Sequence, residues 1–205
     1  MGKIAAVYSG SQWQCDLFYS EKYRPYFDTV IHTCSLPTES LSNCDVLVVP
    51  RESNQEMLLL IKNEIIQFLD NGGTVISFGE VTRPWLPNCT WEDKNPRFMY
   101  DGKSRWDKGE LDGKPYKMII PEHPLFKGLD IEDLQWHFHG MFHAADNVDV
   151  LLKYGEEGDI IYLDDKNFKG RILATTLDPE VHAGYGVVKK TQKFLDNVLD
   201  WARTI

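Results

Sequence analysis

Residues 45–80, DVLVVPRESNQEMLLLIKNEIIQFLDNGGTVISFGE, decide the fold. Val46-Leu47-Val48-Val49 is a short, unbroken apolar run closed by Pro50. That is the pattern of a strand buried on both faces of a parallel sheet. Ser53 and Glu56 stand at S-x-x-E spacing and predict a capping box at a helix start. Leu58, Ile61, Ile65, Phe68 and Leu69 then recur at helical spacing and supply a buried stripe. Asn71-Gly72-Gly73 ends the helix, because glycine enters the left-handed cap conformation without steric cost. Thr74-Val75-Ile76-Ser77-Phe78 reads as the next strand. Strand, crossover helix and strand in this order make a right-handed βαβ unit.

Toward the N-terminus, Ile4-Ala5-Ala6-Val7-Tyr8 is a second buried run, ending at Ser9-Gly10, and Thr29–His32 a third. A helix is expected between them from about Trp13. After Glu80 the texture changes: residues 81–115 hold Pro84, Pro87, Pro96, Trp85, Trp91, Trp106 and many charges. They read as a long irregular excursion that could cover a cleft. From 116 the pattern is β-rich, with strands expected at Tyr116–Ile120, Leu134–Ala144, Val148–Tyr154, Ile160–Leu163 and Arg171–Thr176. A last helix, Thr191–Arg203, turns Phe194, Leu195, Val198, Leu199 and Ala202 inward. The expected organisation is α/β, with residues 1–205 forming one domain.

Bulk properties exclude several classes. The net charge of -9 argues against a phosphate-backbone binder, which needs a basic face, so no nucleic-acid partner is expected. No run approaches the roughly 20 apolar residues of a membrane helix, so no membrane partner is expected either. The chain start leads straight into a strand without a signal-peptide pattern, which implies a cytoplasmic protein. Cys15, Cys34, Cys44 and Cys89 lack CxxC spacing and read as free thiols. There is no GxGxxG and no GxxxxGK[ST], so no nucleotide cofactor is expected.

Asp45–Val49, the helix, Asn71-Gly72-Gly73 and the strand ending Ser77-Phe78-Gly79-Glu80 together resemble class I glutamine amidotransferase-like domains. The closest likeness is to the trehalose-utilisation (ThuA-like) branch. His123-Pro124-Leu125-Phe126-Lys127-Gly128-Leu129 and the segment Gly170–Pro179 with His182 also look like that branch. The resemblance implies a flavodoxin-like, three-layer fold: a mostly parallel sheet with helices on both faces, here with β-rich additions in the C-terminal half. It also implies a cysteine on a strained G-x-C-x-G elbow, with a late histidine as base. This sequence departs from that pattern. The corresponding strand end is Ser77-Phe78-Gly79-Glu80-Val81, and the nearest cysteine, Cys89, is more than eight residues beyond Ser77. Glutaminase activity is therefore not expected.

The candidate site residues sit at strand ends. Asp178 and His182 follow the last strand; a carboxylate near an imidazole orients it for acid–base work, and His182 matches the family's late histidine. The plain alternative is a capped loop opened by Asp178-Pro179. Glu80 completes the catalytic candidates. Ser9, Gln12, Arg51 and Arg83 offer polar groups at the same edge for a small polar or anionic molecule. In Gln135–His143, read as one strand, Trp136, Phe138 and Phe142 share one face and His137, His139 and His143 the other. His137 and His139 are spaced for a divalent metal such as zinc; a polar pocket lining without metal, or plain hydrogen bonding to backbone, fits them equally. The tryptophans could stack on a sugar or form a loop's own small core. Two functions follow: a pocket acting on a small polar metabolite, including a sugar derivative, or a non-catalytic module whose homo-oligomer interface covers the cleft.

Overall fold

The computed structural model describes residues 2–93, 116–136 and 138–205. Its elements are β1 (Ile4–Tyr8), α1 (Gln12–Phe18), β2 (Thr29–His32), β3 (Val46–Val49), α2 (Gln55–Leu60), α3 (Lys62–Asp70) and β4 (Thr74–Phe78). They continue with β5 (Cys89–Asp93), β6 (Tyr116–Met118), α4 (Ile131–Leu134), β7 (Gly140–Ala144), β8 (Asp149–Tyr154), β9 (Gly158–Asp164), β10 (Arg171–Thr175), α5 (Pro179–Gly184) and α6 (Gln192–Arg203).

Five strands, β2-β1-β3-β4-β10, run parallel. With β10 counted as the fifth, this is the doubly wound 2-1-3-4-5 order, whose ligand crevice opens at the carboxyl ends of the strands. Strand alternation sends Ile4, Ala6, Val46 and Val48 to one face, where they pack with α1, α5 and α6 residues such as Trp13, Leu17, Val181 and Phe194. It sends Ala5, Val7, Leu47 and Val49 to the other, against Leu58, Ile61, Ile65 and Phe68 of the α2–α3 segment. Burying each large side chain of this kind contributes about 1.5–3 kcal/mol, which makes the two helical layers the main support of the strand ends. β9 joins β10 antiparallel and carries the C-terminal additions: β7 and β5 in one direction, β8 and β6 in the other.

Four expectations need correction. The helix after β3 is capped by Asn54, whose side chain accepts from the backbone N–H groups of Glu56 and Met57; Ser53 instead donates to the Pro50 carbonyl. That helix also breaks at Ile61 into α2 and α3. The segment 134–144 is not one strand. Asp130 and Asp133 form a capping box that starts the short α4, and pairing begins only at Gly140. The shared histidine face is therefore lost. Finally, Cys89–Asp93, inside the expected irregular excursion, pairs with β7 along its whole length. Residues 94–115, with Pro96 and Trp106, lie outside the described residues.

Because Asn54 holds two otherwise unpaired helix donors, Asn54→Ala is expected to cost about 1 kcal/mol in urea unfolding. Glu56→Gln should cost only a few tenths, since Glu56 makes no reciprocal capping bond.

Candidate functional site

Three parallel strands deliver their ends to one place. Arg51 follows β3, Glu80 follows β4 and Asp178 follows β10. Arg51 Nε donates to both carboxylate oxygens of Glu80 at 3.0 and 3.1 Å, and Nη1 donates to Asp178 Oδ2 at 2.9 Å. The Arg51 side chain is 18% exposed, Glu80 20% and Asp178 1%. Burial alone would pull the guanidinium down, but Glu80 and Asp178 outweigh it and raise its pKa. The first strand joins through Gln14: its side chain accepts from Ser9 N–H and donates to the Arg51 carbonyl. Ser9 Oγ accepts from Asn54 N–H.

Around this core stand two imidazoles and an indole. Trp136 Nε1 donates to Asp178 Oδ1 at 3.1 Å, and His182 Nε2 lies 3.4 Å from the same oxygen, one helical turn along α5. His139 Nδ1 lies 3.5 Å from Glu80 Oε1. The neighbouring Glu180 is buried; its Oε1 accepts from Arg51 N–H, while Oε2 has no hydrogen-bond partner among the described residues. Burial, and then the charge of Asp178, push its carboxyl well above the ordinary carboxylate range.

The turn out of β4 is sharp. Gly79 has φ +75°, donates its N–H to the Thr175 carbonyl, and lies under the Arg51 stem. A Cβ at position 79 would meet Arg51 Cγ at 2.6 Å. The side-chain space at this bend is thus filled by the Arg51 stem, whose guanidinium reaches on to Asp178 beyond β10. A second backbone outlier, Glu52 with φ 64°, sits at the end of β3 and accepts from Trp13 Nε1 and Ser11 Oγ.

No family model and no curated protein matches the sequence. Solved structures match in shape. A cytoplasmic protein from Salmonella typhimurium superimposes with TM-score 0.62 at 13% identity, over 97% of this chain and 98% of that one. A GMP synthase-like protein from Thermoplasma acidophilum gives 0.60 at 16% identity, over 98% and 93%. A glutamine amidotransferase from Thermotoga maritima gives 0.53 at 10% identity, over 98% and 84%. These likenesses show a shared flavodoxin-like α/β fold, which the Thermotoga maritima glutamine amidotransferase also has. The four thiols sit on other elements than β4 and the turn after it. Cys15 is in α1, Cys34 in the turn after β2, Cys44 just ahead of β3 and Cys89 in β5.

Of the residues singled out from the sequence, Ser9, Arg51, Glu80, Trp136, His139, Asp178 and His182 belong to this assembly. Gln12 instead donates to Asp16 on the exposed side of α1, and Arg83 pairs with Glu56 at the surface. His143 is exposed and pairs with Glu92 of β5 at 2.8 Å. His137 lies outside the described residues, so the metal expectation has only His139 to rest on here. Among the described residues no group of three His, Cys, Asp or Glu side chains is arranged to hold a metal. The sequence reading missed Gln14 and Glu180; Glu180 follows Pro179 and looks like an ordinary acid in a first helical turn.

Gly79→Ala should destabilise the protein by about 1–3 kcal/mol, and by less in an Arg51→Ala background, because only the steric part is then relieved. A double-mutant cycle by chemical denaturation reads the coupling. Glu180, with its folded pKa raised, contributes stability that is full below its ordinary value of 4.5 and is lost as pH rises toward the folded value. Glu180→Gln removes that titration. Its stability relative to the native chain should climb above pH 4.5, by at most about 1.4 kcal/mol per pH unit.

Proposed function

We propose that this chain binds and acts on a small, uncharged polar molecule at the carboxyl edge of its sheet, without the thiol chemistry of a glutaminase. The observation that carries this reading is the Arg51 stem lying over Gly79, where an amidotransferase would hold its cysteine. Nucleophilic attack on an amide needs a thiolate at that bend and an imidazole facing it. Here the bend carries Gly79, which has no side chain, and the Arg51 stem lies over it.

The charges of the same cluster argue about the ligand. Arg51 is already met by two carboxylates, so it has no net charge to offer an anion. Among the described residues no hydrogen bond engages its Nη2, which leaves a positioned donor beside the Glu80 acceptor. Hydroxyl groups, which donate and accept, suit that pairing, and a sugar derivative has them in number. His182, oriented by Asp178, is the group we assign to proton transfer.

Two measurements test this. Incubation with L-glutamine should release no ammonia above a protein-free blank. In a thermal-shift screen, neutral sugars and polyols should raise the Tm, carboxylates and phosphates should not, and Arg51→Gln should abolish the shift. On a substrate found this way, His182→Ala should lower kcat by about 10²–10⁴-fold. Glutamine hydrolysis, or stabilisation by anions alone, would overturn the reading.

One observation favours the alternative of a non-catalytic assembly module. Tyr185, Val187 and Val188 follow α5 with exposures of 61%, 46% and 42%, and Val188 has φ 44°, rare for a β-branched residue. If this loop seats a second copy over the site, light scattering will show a dimer that Tyr185→Ser with Val187→Ser dissociates.

A further inference from the structure

Glu52 is the next residue after Arg51 in the turn that follows β3, and it is exposed where Arg51 is half-buried. Its backbone has φ 64°, in the left-handed region that suits glycine. A glycine would take this turn without cost, so a glutamate here keeps a side chain at the expense of backbone strain.

That side chain is held by one oxygen. Trp13 Nε1, from the start of α1, donates to Oε2 at 2.8 Å, and Ser11 Oγ donates to the same atom at 3.1 Å. Trp13 is 1% exposed and therefore a fixed anchor. Among the described residues no hydrogen bond engages Oε1. The turn beneath is pinned as well. Ser53 donates to the Pro50 carbonyl through both N–H and Oγ, Asn54 N–H donates to Ser9 Oγ, and the Gln14 side chain donates to the Arg51 carbonyl. The carboxylate is thus in place before any ligand arrives, and little freedom is lost in using it.

Two hydrogen-bonding points then stand side by side, on residues whose Cα atoms are about 3.8 Å apart. The inner one is Arg51 Nη2 with Glu80, and the outer one is Glu52 Oε1. The outer charge is felt at the inner point: against the lowering effect of burial, Glu80, Asp178 and then Glu52 raise the pKa of Arg51. An anion would be repelled by Glu52. A molecule with one hydroxyl group satisfies one point and leaves the other to water. A molecule with several satisfies both.

We propose that Glu52 is a ligand-contacting residue that makes the site select for molecules with two or more hydroxyl groups, one meeting Arg51 and Glu80 and another donating to Glu52 Oε1. This rests on the reading of the Arg51 cluster as a site for a neutral polar ligand.

Two indoles report the two points separately, because Trp13 donates to Glu52 and Trp136 to Asp178. The test is a ¹H–¹⁵N NMR titration of the full chain, following the indole N–H signals of its six tryptophans, with Trp13→Phe and Trp136→Phe used only to assign them. The probes are D-glucose, D-galactose, myo-inositol and sorbitol. Tetrahydropyran-2-methanol, a ring with a single hydroxyl, and butylamine are the controls. At least one polyol should move both indole signals with one Kd, and the single-hydroxyl ring should bind at least several-fold more weakly. Glu52→Gln, which can still accept from Trp13, should weaken the polyol about tenfold. If polyols move Trp136 but not Trp13, or bind Glu52→Gln as tightly, Glu52 has no part and the reading of the Arg51 cluster stands without it. If butylamine moves Trp13 and no polyol does, Glu52 is an isolated surface carboxylate and the proposal falls. If no polyol moves either signal, the underlying reading falls and this proposal with it.

Discussion

The guanidinium of Arg51 is the tie on which the carboxyl edge of this sheet depends. It links Glu80 at the end of β4 to Asp178 at the end of β10, its own backbone N–H holds Glu180, and its stem covers Gly79. Like charges at strand ends repel, and a parallel sheet gathers its loops at one rim. One cation among several carboxyl groups converts that crowding into cohesion. Two carboxylates are paired with the Arg51 side chain, while burial pushes the pKa of the third, Glu180, upward and so disfavours a further negative charge there.

That tie also fills the space beside the sharp bend that follows β4. A sharp bend after a central strand is a place where a side chain can be presented strained and exposed. Here the positive φ falls on Gly79, which adopts it without steric cost, while the volume goes to the aliphatic part of an arginine. The result is a hydrogen-bonding surface of donors and acceptors, with Trp136 and His182 sharing one oxygen of Asp178 and His139 beside Glu80.

The parallel half of the fold was legible because its strands are unbroken apolar runs and its crossover helix ends on Asn71-Gly72-Gly73. The convergence of Ser9, Arg51, Glu80 and His182 followed from strand direction, together with the resemblance that pointed to His182. The histidine-rich segment was not legible: aromatic content mimics a strand, and the local capping of Asp130 by Asp133 wins over that pattern before Gly140. β5 was hidden for a related reason, since Cys-Thr-Trp-Glu-Asp between prolines and charges has little apolar content to report its pairing with β7. Glu180 could not be seen as buried, because nothing local in a sequence records which rim of a sheet will close over a side chain.

β10 lies at the middle of the sheet, yet it is supplied late. It pairs with β4 across a sequence separation of roughly a hundred residues, and with β9 on its other side. A chain emerging from the ribosome must therefore carry β4 with one open flank until most of its length has been made. During that interval Val75 and Ile76 have no neighbour on that side, and the same backbone edge is available to any other strand nearby. Synthesis speed and early chaperone cover, more than the stability of the finished domain, would then govern how much of this protein a cell recovers folded.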